Sequence, residues 1–285
     1  MSTFPVRSTL LALALAAAPF ALQVADAQQP APLRIFLRGG PKTHGPATNG
    51  QHDGPTWVKE WQPLLESRGA KVEAALTFPT AEQLERTDVL VMFCANGGYI
   101  EGEQRAYFEK FLRRGGGIVA LHDAVLAREP HWFKTIIGGA WENGVARYFE
   151  GDNTYYYVNT EHPITRGAAN FTIDDEVYWA LHLMPNVQVL ASTMQPVRPP
   201  KPGAPPPEPA IGKLIPQIWV YENQLPDGKP YRAFVSLLGH YFSTFSSPNA
   251  RAVFLRGIAW AGQRDADSLT TKEEIDAAQS FTMKK

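Results

Sequence analysis

Between Gly115 and Asp123 the chain reads Gly-Gly-Gly-Ile-Val-Ala-Leu-His-Asp: a glycine break, four apolar residues, then two side chains that can bind a cation or move a proton. A short, wholly apolar run suits a strand buried on both faces of a parallel sheet. In open α/β folds the carboxyl ends of such strands are where ligands bind. The preceding residues, Glu103 to Arg114, place Ala106, Tyr107, Phe108, Phe111 and Leu112 at helical spacing. Helix, break, strand and polar tip follow in that order, which puts His122 and Asp123 at the centre of any site.

The rest of the first half repeats this alternation. Strands are expected at Leu33 to Leu37, Lys71 to Ala75 and Val89 to Phe93. A helix is expected from Pro55 through Trp57, Val58, Trp61, Leu64 and Leu65, stopping at Gly69. Strands alternating with helices predict an α/β fold with a mainly parallel sheet covered on both faces. Later strands are expected at 154–159, 187–191, 217–222 and 232–237, with a turn at Pro226-Asp-Gly228 between the last two. A closing helix spans 249–262. The proline-rich stretch 196–209 reads as an extended surface insertion.

The first 27 residues stand apart. Arg7, the apolar run Leu10 to Leu22 and Ala25-Asp-Ala27 form a signal-peptide pattern with cleavage near Ala27. The expected organisation is a signal peptide at 1–27, one α/β domain at 28–264 and a polar tail at 265–285. The mature chain is therefore expected to be secreted or periplasmic, without stable membrane insertion. The only cysteine, Cys94, excludes an internal disulfide framework and reads as a buried strand-end side chain. A net charge of -1 with scattered basic residues argues against nucleic acid as a partner. The oligomeric state is left open by the sequence, a homo-oligomer among the options.

Reactive groups concentrate in four segments: the loop with His44, His52 and Asp53, the His122-Asp123 tip, Asp174-Asp-Glu-Val-Tyr178, and Gly239-His240-Tyr241. Loops after strands one and four open on the same sheet edge. A parallel late strand would bring His240 to that edge as well. By default the acidic triplet reads as a solvated turn, His182 as a helix-surface residue, and His131 and His162 as structural. Two or three histidines with a carboxylate suit zinc or a similar divalent metal. Such a site would draw on His44 or His52 together with His122 and His240. No HExxH motif fixes one, so metal-bound and metal-free readings both stand. GxSxG and dinucleotide or phosphate loops are missing.

Taken in order, these segments resemble the ThuA-like (trehalose utilisation) family. The resemblance rests on the first strand with its His-bearing loop, on Gly115 to His122, and on Glu161-His-Pro-Ile-Thr-Arg-Gly167. It continues through Asp175-Glu-Val-Tyr178, Ser236-Leu-Leu-Gly-His240 and Arg256-Gly-Ile-Ala-Trp260. It implies a flavodoxin-like, class I glutamine amidotransferase-like three-layer sandwich. Where amidotransferases carry a nucleophilic Cys, this chain has His122-Asp123, which excludes thioester chemistry. Family members often place a histidine after the Gly-Gly-x-Phe/Trp segment, whereas Gly138-Gly-Ala-Trp-Glu-Asn143 offers Glu142 and Asn143 instead.

The resemblance further implies a carbohydrate substrate, a disaccharide or glycoside in its 3-keto form, cleaved by a lyase or hydrolase. On that reading His122, with Asp123 beside it, is the base, and His240 or a bound metal stabilises an enolate. Glu176 or Tyr178 acts as acid or sugar-orienting group. His44, His52 and Trp141 bind substrate, and Trp179 is a further ring that could stack on sugar. The alternatives are a non-catalytic sugar-binding protein on the same fold, or a metal-dependent hydrolase of another ester or amide.

Overall fold

The computed structural model describes Met1 and residues 31–46, 49–196 and 213–280. Residues 2–27 of the expected signal peptide, and most of the proline-rich insertion, lie outside the described residues. Contacts divide the chain into Met1–Ala31 and Pro32–Lys285, and the architecture below is that of the second unit.

In chain order the elements are β1 (Arg34–Gly39), α1 (Gly54–Ser67), β2 (Lys71–Ala75), α2 (Ala81–Glu85), β3 (Val89–Phe93), α3 (Gly102–Arg113) and β4 (Gly117–Leu121). There follow α4 (Pro130–Ile137), β5 (Gly139–Ala140), β6 (Arg147–Val158), β7 (Phe171–Trp179), β8 (His182–Leu183) and β9 (Gln188–Met194). The chain closes with β10 (Leu214–Asn223), β11 (Tyr231–Ser236), α5 (Pro248–Ala261) and α6 (Lys272–Ala278). Among the described residues nine strands form one sheet in the order β2-β1-β3-β4-β11-β10-β9-β6-β7, and β5 pairs with β8 separately.

The five strands from β2 to β11 are mutually parallel, and the other four continue the sheet antiparallel. Alternation along the parallel strands sends side chains to opposite faces. Ile35, Leu37, Val89, Val91, Phe93, Val119 and Leu121 join Trp57, Trp61 and Leu65 of α1 and Phe254 and Ile258 of α5 in one core. Phe36, Leu90, Met92, Ile118 and Ala120 pack with Leu84 of α2, Phe108 and Phe111 of α3, and Phe133 and Ile137 of α4 in the other. The result is the expected three-layer α/β sandwich. Cys94 lies buried at the end of β3.

Three features correct the sequence expectations. The acidic triplet is part of β7, and Asp175 and Glu176 are buried. His182 lies on the short strand β8 instead of a helix. Helices α2 and α4 were not expected from the sequence pattern. No helix of the described residues is long and apolar enough to cross a membrane.

Candidate functional site

Because β1, β4 and β11 run parallel, their carboxyl ends share one edge of the sheet, and each delivers a histidine there. His122 follows the last residue of β4 directly. His240 lies four residues beyond β11, and His52 ends the loop from β1 just before Asp53 caps α1. Both His52 (φ 44°) and His122 (φ 53°) adopt the left-handed conformation, which is costly for a residue with a Cβ and clusters at functional sites. The two loops are tied by the His52 N–H donating to the His240 carbonyl at 3.0 Å.

β7 supplies the fourth side. Buried Gln217 of β10 clamps it, donating to the Tyr178 carbonyl at 2.7 Å and accepting from the Tyr178 N–H at 3.3 Å. Three residues earlier in β7, the fully buried Asp175 carboxylate accepts the N–H groups of Gly239 (2.9 Å) and His240 (3.0 Å) and the Thr244 hydroxyl. Burial raises the Asp175 pKa against these bonds. Gly239 has φ 137°, and a Cβ there would lie 3.1 Å from the His122 Cβ, so the turn needs glycine. Asp175 therefore fixes where the His240 backbone stands, and Glu176, next along the strand, points at its ring.

Four donor atoms converge. His52 Nε2 lies 2.8 Å from His240 Nδ1 and 3.1 Å from His122 Nε2. Glu176 Oε2 lies 3.2 Å from His240 Nδ1 and 3.4 Å from His122 Nε2. All four residues are buried. Ligands at the corners of a zinc tetrahedron stand about 3.3 Å apart for bonds of about 2.0 Å, so these separations suit a small divalent cation.

The outer bonds set which ring nitrogens carry protons. His122 Nδ1 meets the Leu237 carbonyl at 2.9 Å, and a carbonyl only accepts, so Nδ1–H donates. His52 Nδ1 meets Asp123 Oδ2 at 2.8 Å and donates likewise. In the neutral rings both Nε2 lone pairs then face inward, the arrangement that a carbonyl or carboxylate behind the ring imposes on metal-binding histidines. Two lone pairs at 3.1 Å need positive charge between them, either a proton or a cation.

The electrostatics agree. Burial opposes charge on His122, but Asp123, Glu176 and Asp175 outweigh it and raise its pKa to about 9. Burial lowers the His52 pKa despite its bond to Asp123. Burial would raise Glu176, yet His122 and His240 hold its carboxyl well below the usual range, and His122 and His52 do the same for Asp123. Tyr178 is pushed far up by burial and by those two carboxylates, so it stays a neutral hydroxyl. Its oxygen lies 2.7 Å from Asp123 Oδ1, 2.9 Å from Glu176 Oε2 and 3.0 Å from His122 Nε2.

Above the cluster opens a cleft of about 320 Å³, lined among others by His44, Gln51, Asp123, Trp141, Tyr148 and Glu150. That volume lies at the small end of the range for small-molecule sites. His52, Glu176, Tyr178 and His240 form part of its lining, whereas His122 lies behind them, fully buried. The structure thus brings His52, His122, Asp123, Glu176, Tyr178 and His240 together and sets Trp141 on the wall, its ring 4.8 Å from that of Tyr178. His44 is outside the four-donor cluster; it is exposed and packs on His52 with ring centroids 4.0 Å apart. Glu142 turns to His182 and Asn143 lines the cleft. In the sequence Asp175 stood out as one of an acidic triplet and as the start of Asp175-Glu-Val-Tyr178, with nothing to tie it to the turn at Gly239.

Fold and site together define an α/β protein with a buried His/Glu centre beneath a polar, aromatic-walled cleft. The family model for trehalose utilisation, ThuA, matches residues 45–261, and the chain belongs to that family. It is similar in fold to a ThuA-like protein from Bacteroides uniformis, with 18% identity, TM-score 0.58, and 85% of this chain and 97% of that one covered. A ThuA-like protein from Parabacteroides merdae is similar at 16% identity and TM-score 0.58, covering 85% of this chain and 92% of that one. No curated protein matches the sequence.

Proposed function

We propose that this chain is an exported carbohydrate-active enzyme that cleaves a keto-disaccharide or keto-glycoside in the cleft above a divalent cation held by His52, His122, His240 and Glu176. The observation that carries the reading is the set of four inward-facing donors, two with their lone pairs fixed by Leu237 and Asp123, at the floor of a small polar cleft. The family's description, trehalose utilisation, supports a sugar as substrate. Trp141 and Tyr148 on the wall suit a sugar face, and Gln51, Asn143 and Glu150 suit its hydroxyls.

A ketone at C3 acidifies the C2–H. Removing that proton, with cleavage of the C1–O bond and protonation of the departing oxygen, yields an enone and a free alcohol or sugar. Addition of water to the enone completes a net hydrolysis. A cation at this position would polarise the ketone oxygen as the negative charge develops. Because His122 is buried and anchored at Nδ1, we assign it to holding the centre. His44, whose ring is open to the cleft, is the histidine placed to exchange protons with substrate. Tyr178, a neutral hydroxyl against Asp123 and Glu176, orients both carboxylates.

The test is product formation from a 3-keto disaccharide, followed by NMR, with protein stripped of metal and then supplied with zinc. Released monosaccharide that depends on zinc and disappears in His240→Ala supports the reading. Sugar binding without turnover, whatever metal is supplied, overturns it.

A further inference from the structure

A second ligand cluster sits outside this centre. His131, Glu142 and His182 bring three candidate donor atoms within 4.8 Å of one another. The His182 ring packs on His131 with centroids 4.5 Å apart, and its Nε2 contacts Glu142 Oε2. His131 is exposed and the other two are half-buried, so solvent reaches the group.

His131 and His182 stand on separate elements, and Glu142 lies just beyond a third. His131 lies in the first turn of α4. That helix ends at Gly138, whose φ of 83° turns the chain directly into β5. β5 pairs antiparallel with β8 in a register that sets Ala140 opposite His182, and Glu142 follows two residues later. The turn is pinned by the Gly138 N–H on the Lys134 carbonyl (2.8 Å) and the Met184 N–H on the Gly138 carbonyl (2.9 Å). A half-buried His–Glu pair open to solvent contributes little to stability by itself. A second imidazole, tilted at 52° beside that pair, supplies what a simple ion pair does not need: a third ligand, of the nitrogen type that zinc, nickel and copper favour.

We propose that His131, Glu142 and His182 form a second divalent-cation site, taking zinc or a similar first-row metal, with the remaining positions filled by water. The site braces the rim of the cleft. Trp141 precedes Glu142, its N–H donates to the Val125 carbonyl at 2.9 Å, and its indole N–H donates to Asn143 at 3.1 Å. A cation joining α4 to β8 through Glu142 would hold Trp141 and Asn143 against the cleft.

The test is zinc content per chain after equilibrium dialysis against buffered zinc, for wild type, His131→Ala and His182→Ala. Both variants are expected to bind one zinc fewer than wild type and to lose part of the zinc-dependent rise in Tm. Because the readout is the difference between wild type and variants, it holds whether or not the buried centre is occupied. Wild type falling from two to one supports both sites, and falling from one to none supports this one alone. Equal zinc in wild type and in both folded variants overturns the second site and leaves the proposed function standing.

Discussion

The Nε2 atoms of His52 and His122 face each other at 3.1 Å, although the two residues are 70 positions apart and reach the site from different strands. Each ring is oriented from behind, His52 by the Asp123 carboxylate and His122 by the Leu237 carbonyl. The pair is therefore built to share a positive charge.

If that charge is a divalent cation, adding zinc to metal-free protein should raise Tm. At zinc a hundredfold above Kd the stabilisation from one site is about 2.7 kcal/mol. His122→Ala and His240→Ala should each lose the buried centre's share of this shift in differential scanning calorimetry, and a full shift in both would count against the centre.

In metal-free protein the charge is a proton, and its sign of action is fixed. His122 has its folded pKa raised to about 9 from an ordinary value of 6.5. Its charged form thus contributes stability that is fully present below about pH 6.5 and lost as pH rises toward 9. Metal-free wild type should lose Tm across that window more steeply than His122→Gln, measured by thermal melts at several pH values. Zinc must displace this proton, so binding should tighten as pH rises over the same range.

Asp175 is expected to matter through His240. Asp175→Ala leaves two buried N–H groups and the Thr244 hydroxyl without their acceptor, at about 1–3 kcal/mol for each unsatisfied group. Asp175→Asn keeps one oxygen and should cost less. Urea denaturation of the two variants gives the order, and equal stabilities would show that the carboxylate does not hold the turn.

Tyr178→Phe removes the hydroxyl that meets Asp123, Glu176 and His122 while keeping the ring packed against Trp141. Outer-shell losses of this kind typically reduce metal affinity or activity by about 10–100-fold. Zinc titration and keto-sugar turnover should both fall, with Tm little changed.

Gly239→Ala tests the close approach at the turn. Its Cβ would meet His122 and Phe245, each at 3.1 Å, in a backbone conformation that alanine resists. Loss of zinc binding with retained far-UV circular dichroism is the expected result; unaltered zinc affinity would show that His122 tolerates the shift.

The parallel half of the sheet was legible because β3 and β4 are short apolar runs buried on both faces, separated by the clear helical period of α3 and the glycines that end it. The meeting of His122 and His240 at one sheet edge followed from their place after parallel strands. What the sequence hid was set by distant contacts. Asp174 to Glu176 look like a solvated turn until Gln217 and the Gly239 turn bury the strand that carries them. Spacing alone could not choose between His44 and His52. The choice lies in the left-handed backbone at His52 and its bond to His240, neither of which leaves a periodic trace. β6 was under-read because most of its first half is exposed and mixes charged with aromatic residues.

The left-handed backbones of His52 and His122 carry a consequence for engineering and for drift. At such positions glycine relaxes the main chain, so His52→Gly or His122→Gly relieves backbone strain while deleting a candidate ligand of the proposed centre. That relief is opposed by the cavity and the stranded partners that loss of a buried ring leaves, so a thermal screen run without metal weighs backbone strain against packing and places no value on binding. Selection on binding or turnover would weigh the two histidines as ligands as well.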